Sequence, residues 1–126
     1  MNIYKENYQS IKPLLLNEDL IKNNYAEIQV KGYMPLVIEK IAKGYDYYII
    51  SLAHIYTYNY DTMADPEMEL KVFPNESIIK AISYKQSRYN MYQRIEDSKK
   101  TEFELNLFLK TWLTTLKLQG FIKEEV

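Results

Sequence analysis

Between Tyr47 and Tyr58 the chain reads YYIISLAHIYTY, and both of its alternating faces are apolar or aromatic. Tyr48, Ile50, Leu52, His54 and Tyr56 fall on one side; Tyr47, Ile49, Ser51, Ala53 and Ile55 fall on the other. An extended segment with two such faces belongs in the middle of a sheet, flanked by other strands and covered on at least one side. The rest of the sequence must therefore supply that sheet and that cover.

The neighbouring segments have the right pattern for strands. Ile28 and Val30 alternate with Glu27, Gln29 and Lys31, and YMPLVIEKI follows, rich in branched side chains, so strands are predicted between Ala26 and Ile41. Pro35 has no N–H to give a ladder and is expected at a strand start or on an edge. AKGYD, residues 42–46, reads as a hairpin turn in which Gly44 can take a positive φ. Met68, Leu70 and Val72 alternate with Glu67, Glu69 and Lys71, and Pro74, Asn75 and Glu76 make the next turn. Further strands are predicted over Ile78 to Tyr84 and Ser87 to Ile95.

Both ends carry helical periodicity instead. Ile3, Tyr4, Tyr8, Ile11, Leu14 and Leu15 form one stripe, and Pro13 is expected to kink or restart that helix. Leu20 and Ile21 extend a short further turn that Lys22, Asn23 and Asn24 end. Towards the C-terminus, Thr101 and Glu104 match a capping box. Leu105, Phe108, Leu109, Trp112, Leu113 and Leu116 then recur at three and four, and Gly120 is the expected stop. The order predicts an α+β fold: an antiparallel meander of four to five strands, with an N-terminal and a long C-terminal helix packed on one face.

Composition narrows the function classes. A chain of 126 residues, 47% hydrophobic and 26% charged, fits one domain spanning residues 1–126. The formal net charge of -1 supplies no overall field toward nucleic acid or an anionic membrane. Cysteine is absent, which excludes disulfides and thiolate metal sites. MNIYKENYQSIK lacks the basic start and apolar core of a secretory signal, and no apolar run approaches the roughly eighteen residues of a membrane span. A cytoplasmic protein without a membrane partner is expected.

Several groups of residues could carry chemistry. His54 with Asp61, Asp65, Glu67 and Glu69 has metal-compatible side chains, but a single histidine on a strand face reads as a packed one, so no metal or other cofactor is expected. Asp46 with Glu69-Leu70-Lys71 has the two acids and lysine of a restriction-type nuclease core. Glu69 and Lys71 nevertheless share a solvent face if Leu70 points inward, and no catalytic residue is assigned. Lys85, Arg88, Tyr89, Tyr92 and Arg94 interleave bases with aromatics as single-strand binders do, and they are the candidates for a nucleic-acid partner. Tyrosine unites a large apolar body with a hydroxyl, which suits protein interfaces. Tyr45, Tyr47, Tyr48, Tyr56, Tyr58 and Tyr60 thus offer a contact surface for a protein partner or a second copy of the chain, and Asp61, Asp65 and Glu67 are assigned to it as well.

MADPEMELKVFP taken together with NLFLKTWLTTLKLQGF resembles a family of small bacterial and bacteriophage proteins known as a domain of unknown function. The matching residues are Leu14 to Leu16, then His54, Asp61, Asp65, Pro66, Glu67 and Met68, then Phe108, Leu109, Trp112 and Leu113. Members often carry Asn-Gly-Asp where this chain has Asn59, Tyr60 and Asp61, so a tight positive-φ turn is harder to form here. The resemblance implies an α+β fold and no particular activity. Occurrence of such proteins in phages and mobile elements implies a regulator or inhibitor of a host nuclease or defence system of the CRISPR kind, with a nucleic-acid-binding regulator and a metal-dependent nuclease as the alternatives.

Overall fold

The structure is a computed structural model that describes residues 2–86, 91–94 and 99–123. Its elements are α1 (Ile3–Leu15), α2 (Glu18–Asn23), β1 (Tyr25–Ile28), β2 (Leu36–Lys43), β3 (Tyr48–Tyr58), β4 (Asp61–Phe73), β5 (Ile78–Gln86), β6 (Met91–Arg94) and α3 (Lys99–Gln119). Among the described residues the strands form one antiparallel sheet in the order β1-β2-β3-β4-β5-β6, a simple meander. The α+β class and the single helical face are as the sequence implies, and the sheet is one strand wider than the expected upper count.

Local chemistry fixes the helix ends. Asn2 caps α1 by accepting from Tyr4 N–H, Asn17 caps α2 by accepting from Asp19 N–H, and Asn24 closes α2 in the left-handed conformation. The helix does not restart at Pro13: α1 runs through it and ends two residues later. Helix α3 begins at Lys99, so the expected cap Thr101 lies inside its first turn. Gly120 ends α3 with φ at 95°; its N–H donates to Lys117 O and that of Phe121 to Leu116 O, a Schellman closure.

The core lies between the helices and one sheet face. Ile11, Leu14 and Leu15 of α1, Leu20 of α2, and Leu105, Leu109, Trp112, Leu113 and Leu116 of α3 form one cluster with Leu36, Ile38, Ile50, Leu52, Met68, Leu70, Val72, Ile79 and Ala81. Those strand residues sit on one side of the meander by register, since Leu52 faces Ile38 and Met68, and Ile50 faces Leu70. On the opposite side, Val37, Ile49, Phe73 and Ile78 are half-buried, Ile41 is 45% exposed, and none of them joins the core cluster.

One buried polar network closes the end of the sheet that β6 leaves open. Among the described residues β6 pairs with Ser83 to Gln86 and no strand pairs with β5 at Ala81. There the Asn106 side chain of α3 takes the place of a strand: Ala81 N–H donates to its Oδ1 (2.8 Å) and its Nδ2 reaches Ala81 O (3.5 Å). The same Nδ2 donates to Glu102 O, and Asn7 Nδ2 of α1 donates to Asn106 O. One buried amide, that of Asn106, thus satisfies a strand edge that would otherwise cost desolvation without compensation, and a second, that of Asn7, ties α1 to α3 beside it.

Candidate functional site

Three one-residue bulges break the ladder, and two of them shape the regions where candidate residues gather. Asp65 and Pro66 of β4 lie between the Ala53–Glu67 and Ile55–Ala64 pairs, opposite the single residue His54. Proline can occupy that position because the ladder is already open there. Ile41 is the extra residue of β2 and Ile82 that of β5.

Beyond the Asp65–Pro66 bulge, β3 and β4 pair with each other from Ile55 opposite Ala64 to Tyr58 opposite Asp61, and apart from the Ile55 N–H, which donates to Pro35 O, neither bonds to another strand among the described residues. They form a two-stranded arm past the edge of the helix-covered sheet. Its turn is the tight one that the lack of glycine argued against: Asn59 has φ at 52° and Tyr60 at 67°, the two positive values of a type I′ hairpin. Asn tolerates that conformation, whereas a tyrosine pays for it in steric strain. Tyr60 is fully exposed, so its ring gains no packing in return. Asp61 begins β4, and it and Asp65 lie on that strand. Asp65 stands near enough to Tyr84 that its charge, added to burial, holds the Tyr84 phenol above the usual range. The Tyr56 hydroxyl is shut off from solvent without a partner among the described residues.

The tyrosines and acids assigned to one surface divide between two ends of β3. Tyr56, Tyr60, Asp61, Asp65 and Glu67 lie on or at the base of the arm. Tyr58 holds the register position opposite Asp61, with its side chain outside the described residues. Tyr45 and Tyr47 lie at the far end, in the β2–β3 turn, and β3 alone spans on the order of 30 Å. Gly44 is required in that turn, though not for a positive φ: a Cβ on it would strike the Tyr47 ring. Tyr47 is held against Phe73 (ring centroids 6.0 Å apart), with Lys71 Nζ 4.1 Å from its ring centre.

The remaining candidates occupy structural roles or scattered positions. His54 is buried, its Nδ1 is 3.1 Å from Met34 O, and its ring packs on Trp112 and Phe121 at 5.8 and 5.2 Å. Glu69 is engaged by Ser83, whose hydroxyl donates to its Oε1 at 3.0 Å, and Asp46 is in the distant β2–β3 turn. Among the described residues no three His, Asp or Glu side chains come together to hold a metal ion. Lys85 pairs in register with Glu67 and with Tyr92, and Arg94 with Ser83. Arg88 and Tyr89 lie outside the described residues. Among the described residues no helix is long and apolar enough to cross a membrane.

With this geometry in view, the comparison with known families is decisive for kinship and silent on activity. A family model described as a domain of unknown function, DUF6908, matches residues 7–122. The chain belongs to that family. No curated protein and no solved structure matches it. The DUF6908 match spans every helix and strand from within α1 to the Schellman closure, so the arm and the Asn7–Asn106 network both fall inside it.

Sequence reasoning missed Lys40 and Lys43, which with Tyr45 and Tyr47 line a cleft at the β2–β3 turn. A signal existed. Leu36 and Ile38 face the core, and continuing that alternation puts a lysine at an inward register position of a strand end.

Proposed function

We propose that this DUF6908 member is a non-catalytic protein-binding module whose β3–β4 arm engages a partner, with Tyr60 as its anchor. The observation that carries this reading is a fully exposed tyrosine held at positive φ on the tip of a two-stranded ribbon. Folding alone favours glycine there, because glycine takes that conformation without strain and would leave the turn intact. Strain retained at an exposed ring is the mark of a contact residue.

Charge supports a partner with a basic surface. Over residues 55–66 the arm carries Asp61 and Asp65 and no basic residue. Such an arm complements the positive groove of a nucleic-acid-processing enzyme. Family resemblance directs the first test to a host nuclease complex of the CRISPR kind, with this chain as the inhibitor encoded by a phage or mobile element. The nucleic-acid-binding alternative is less favoured, because Lys85 stands across from Glu67 in the ladder.

The test measures binding of the purified chain to such a complex and the complex's cleavage rate. Tyr60→Gly is expected to weaken binding by about thirtyfold, the effect of losing one hot-spot tyrosine. Asp61→Asn with Asp65→Asn should slow association and reduce its salt dependence. Full binding by Tyr60→Gly, or no effect of the parent chain on the complex, overturns the reading.

A further inference from the structure

The opposite end of β3 holds a second feature, independent of the arm. A cleft of about 590 Å³ opens between the β2–β3 turn, the β4–β5 turn and the left-handed cap of α2. That volume lies within the range of small-molecule sites. Its lining includes Lys40, Lys43, Tyr45, Tyr47, Tyr48 and Asn75. The Ile41 bulge sits on the same wall, a device that re-aims side chains beside binding sites.

The cations of this cleft are unneutralised. Among the described residues neither Lys40 nor Lys43 has a carboxylate within 4.0 Å, and Asp46, the acid of the lining, pairs with neither. Lys40 Nζ is 4.8 Å from the centre of the Tyr48 ring, which orders the ammonium without consuming its charge. Tyr45 is fully exposed with both ring faces free. Two ammonium groups beside an unstacked aromatic ring select an anion joined to a planar ring.

We propose that this cleft binds a nucleoside monophosphate unit, with Lys40 and Lys43 on the phosphate and the Tyr45 ring stacked on the base. The unit is either a free mononucleotide or the 5′-phosphorylated end of a strand. Both present the same chemistry to these residues.

Calorimetric titration of the full chain distinguishes them, using a nucleoside 5′-monophosphate, inorganic phosphate and a short 5′-phosphorylated oligonucleotide in low salt. The mononucleotide should bind more tightly than inorganic phosphate, by the contribution of stacking. Lys43→Ala and Tyr45→Ala should each raise its Kd about tenfold, with unchanged circular dichroism, because both side chains are exposed. Lys12→Ala is the control: it alters a smaller hollow lined by Lys12, Lys117 and Lys123 with no aromatic ring, and should leave the Kd unchanged. An oligonucleotide that binds more tightly than the mononucleotide, with the same variant losses, supports the strand end; equal affinities support the free nucleotide. No mononucleotide binding at millimolar concentration, phosphate binding as tight as the nucleotide's, or a loss caused by Lys12→Ala in place of Lys43→Ala overturns the proposal. Tyr60→Gly should not affect this titration, so its outcome is separate from that of the arm.

Discussion

The helix-covered part of the sheet and the β3–β4 arm are built from the same two strands under opposite rules. Beneath the helices, buried polar side chains have partners: Asn106 with Ala81, Asn7 with Asn106, His54 with Met34. On the arm, a tyrosine hydroxyl is buried without a partner among the described residues, and another tyrosine is strained and exposed. Stability accounts for these pairings, since a buried polar group costs free energy unless it has a partner. It does not account for Tyr60, and a feature that folding opposes needs a reason outside folding.

The contrast can be broken at its strong side first. Leu70 is fully buried at the centre of the core, between Ile50 and Ala81 in register. Leu70→Ala should cost about 2 to 5 kcal/mol, read as a lowered urea midpoint at unchanged slope. Where the variant remains folded, the affinity of the arm for its partner should be that of the parent. A large loss of affinity in the folded variant would mean that the two regions are not separable.

Asn106→Leu comes next in size. It keeps the branching of the side chain and the main-chain oxygen that Asn7 uses, and removes the amide that completes the edge of β5. Leaving Ala81 N–H and C=O unpaired should cost about 1 to 3 kcal/mol, with faster hydrogen exchange at the Ala81 amide. Unchanged exchange there would show that the amide is not the true closure of that edge.

How far the sequence discloses these regions follows the same divide. The covered face was legible because burial imposes a period: the stripe from Leu105 to Leu116 and the alternation from Met68 to Val72 appear in the structure as core. Asn106 was not legible, because an asparagine between Leu105 and Leu109 looks like an outward polar residue until the shortness of β6 exposes a strand edge beside it. The arm was not legible for a different reason. Asp61 to Pro66 has turn composition, yet it is strand, because cross-strand pairing to β3 and a bulge that tolerates proline override residue preference. The tyrosines looked like one surface because sequence distance conceals the length of β3, which separates Tyr45 from Tyr60 by the whole strand.

A pH experiment sharpens the comparison further. Burial, with Tyr8 contributing, raises the Tyr48 phenol, and burial with Asp65 raises Tyr84. Tyr4 is raised by burial and by its hydrogen bond to Glu102. A raised value means that the native state keeps a proton that the unfolded chain releases earlier. The stabilisation is therefore complete below about pH 10 and is lost as pH climbs through the folded-state values. Urea midpoints should fall at alkaline pH, and Tyr48→Phe and Tyr84→Phe should each flatten the decline. If Tyr84→Phe alone leaves it unchanged, the base of the arm is wetter than the covered region around Tyr48.

The smallest effect on stability carries the most weight for function, and it has the opposite sign. Tyr60→Gly converts the turn to Asn-Gly, the pair that type I′ hairpins prefer, and relieves a left-handed tyrosine. Removing that strain should stabilise the chain by about 1 kcal/mol, read as a raised urea midpoint. The added freedom of glycine in the unfolded chain offsets part of this gain, so a value near zero would mean that the two terms cancel and strain at Tyr60 is slight. A lowered midpoint would show that the Tyr60 ring supports the fold, and the distinction between arm and core would fail. A raised midpoint together with lost partner binding is the expected pair of results, because only a contact residue is both harmful to folding and necessary for capture.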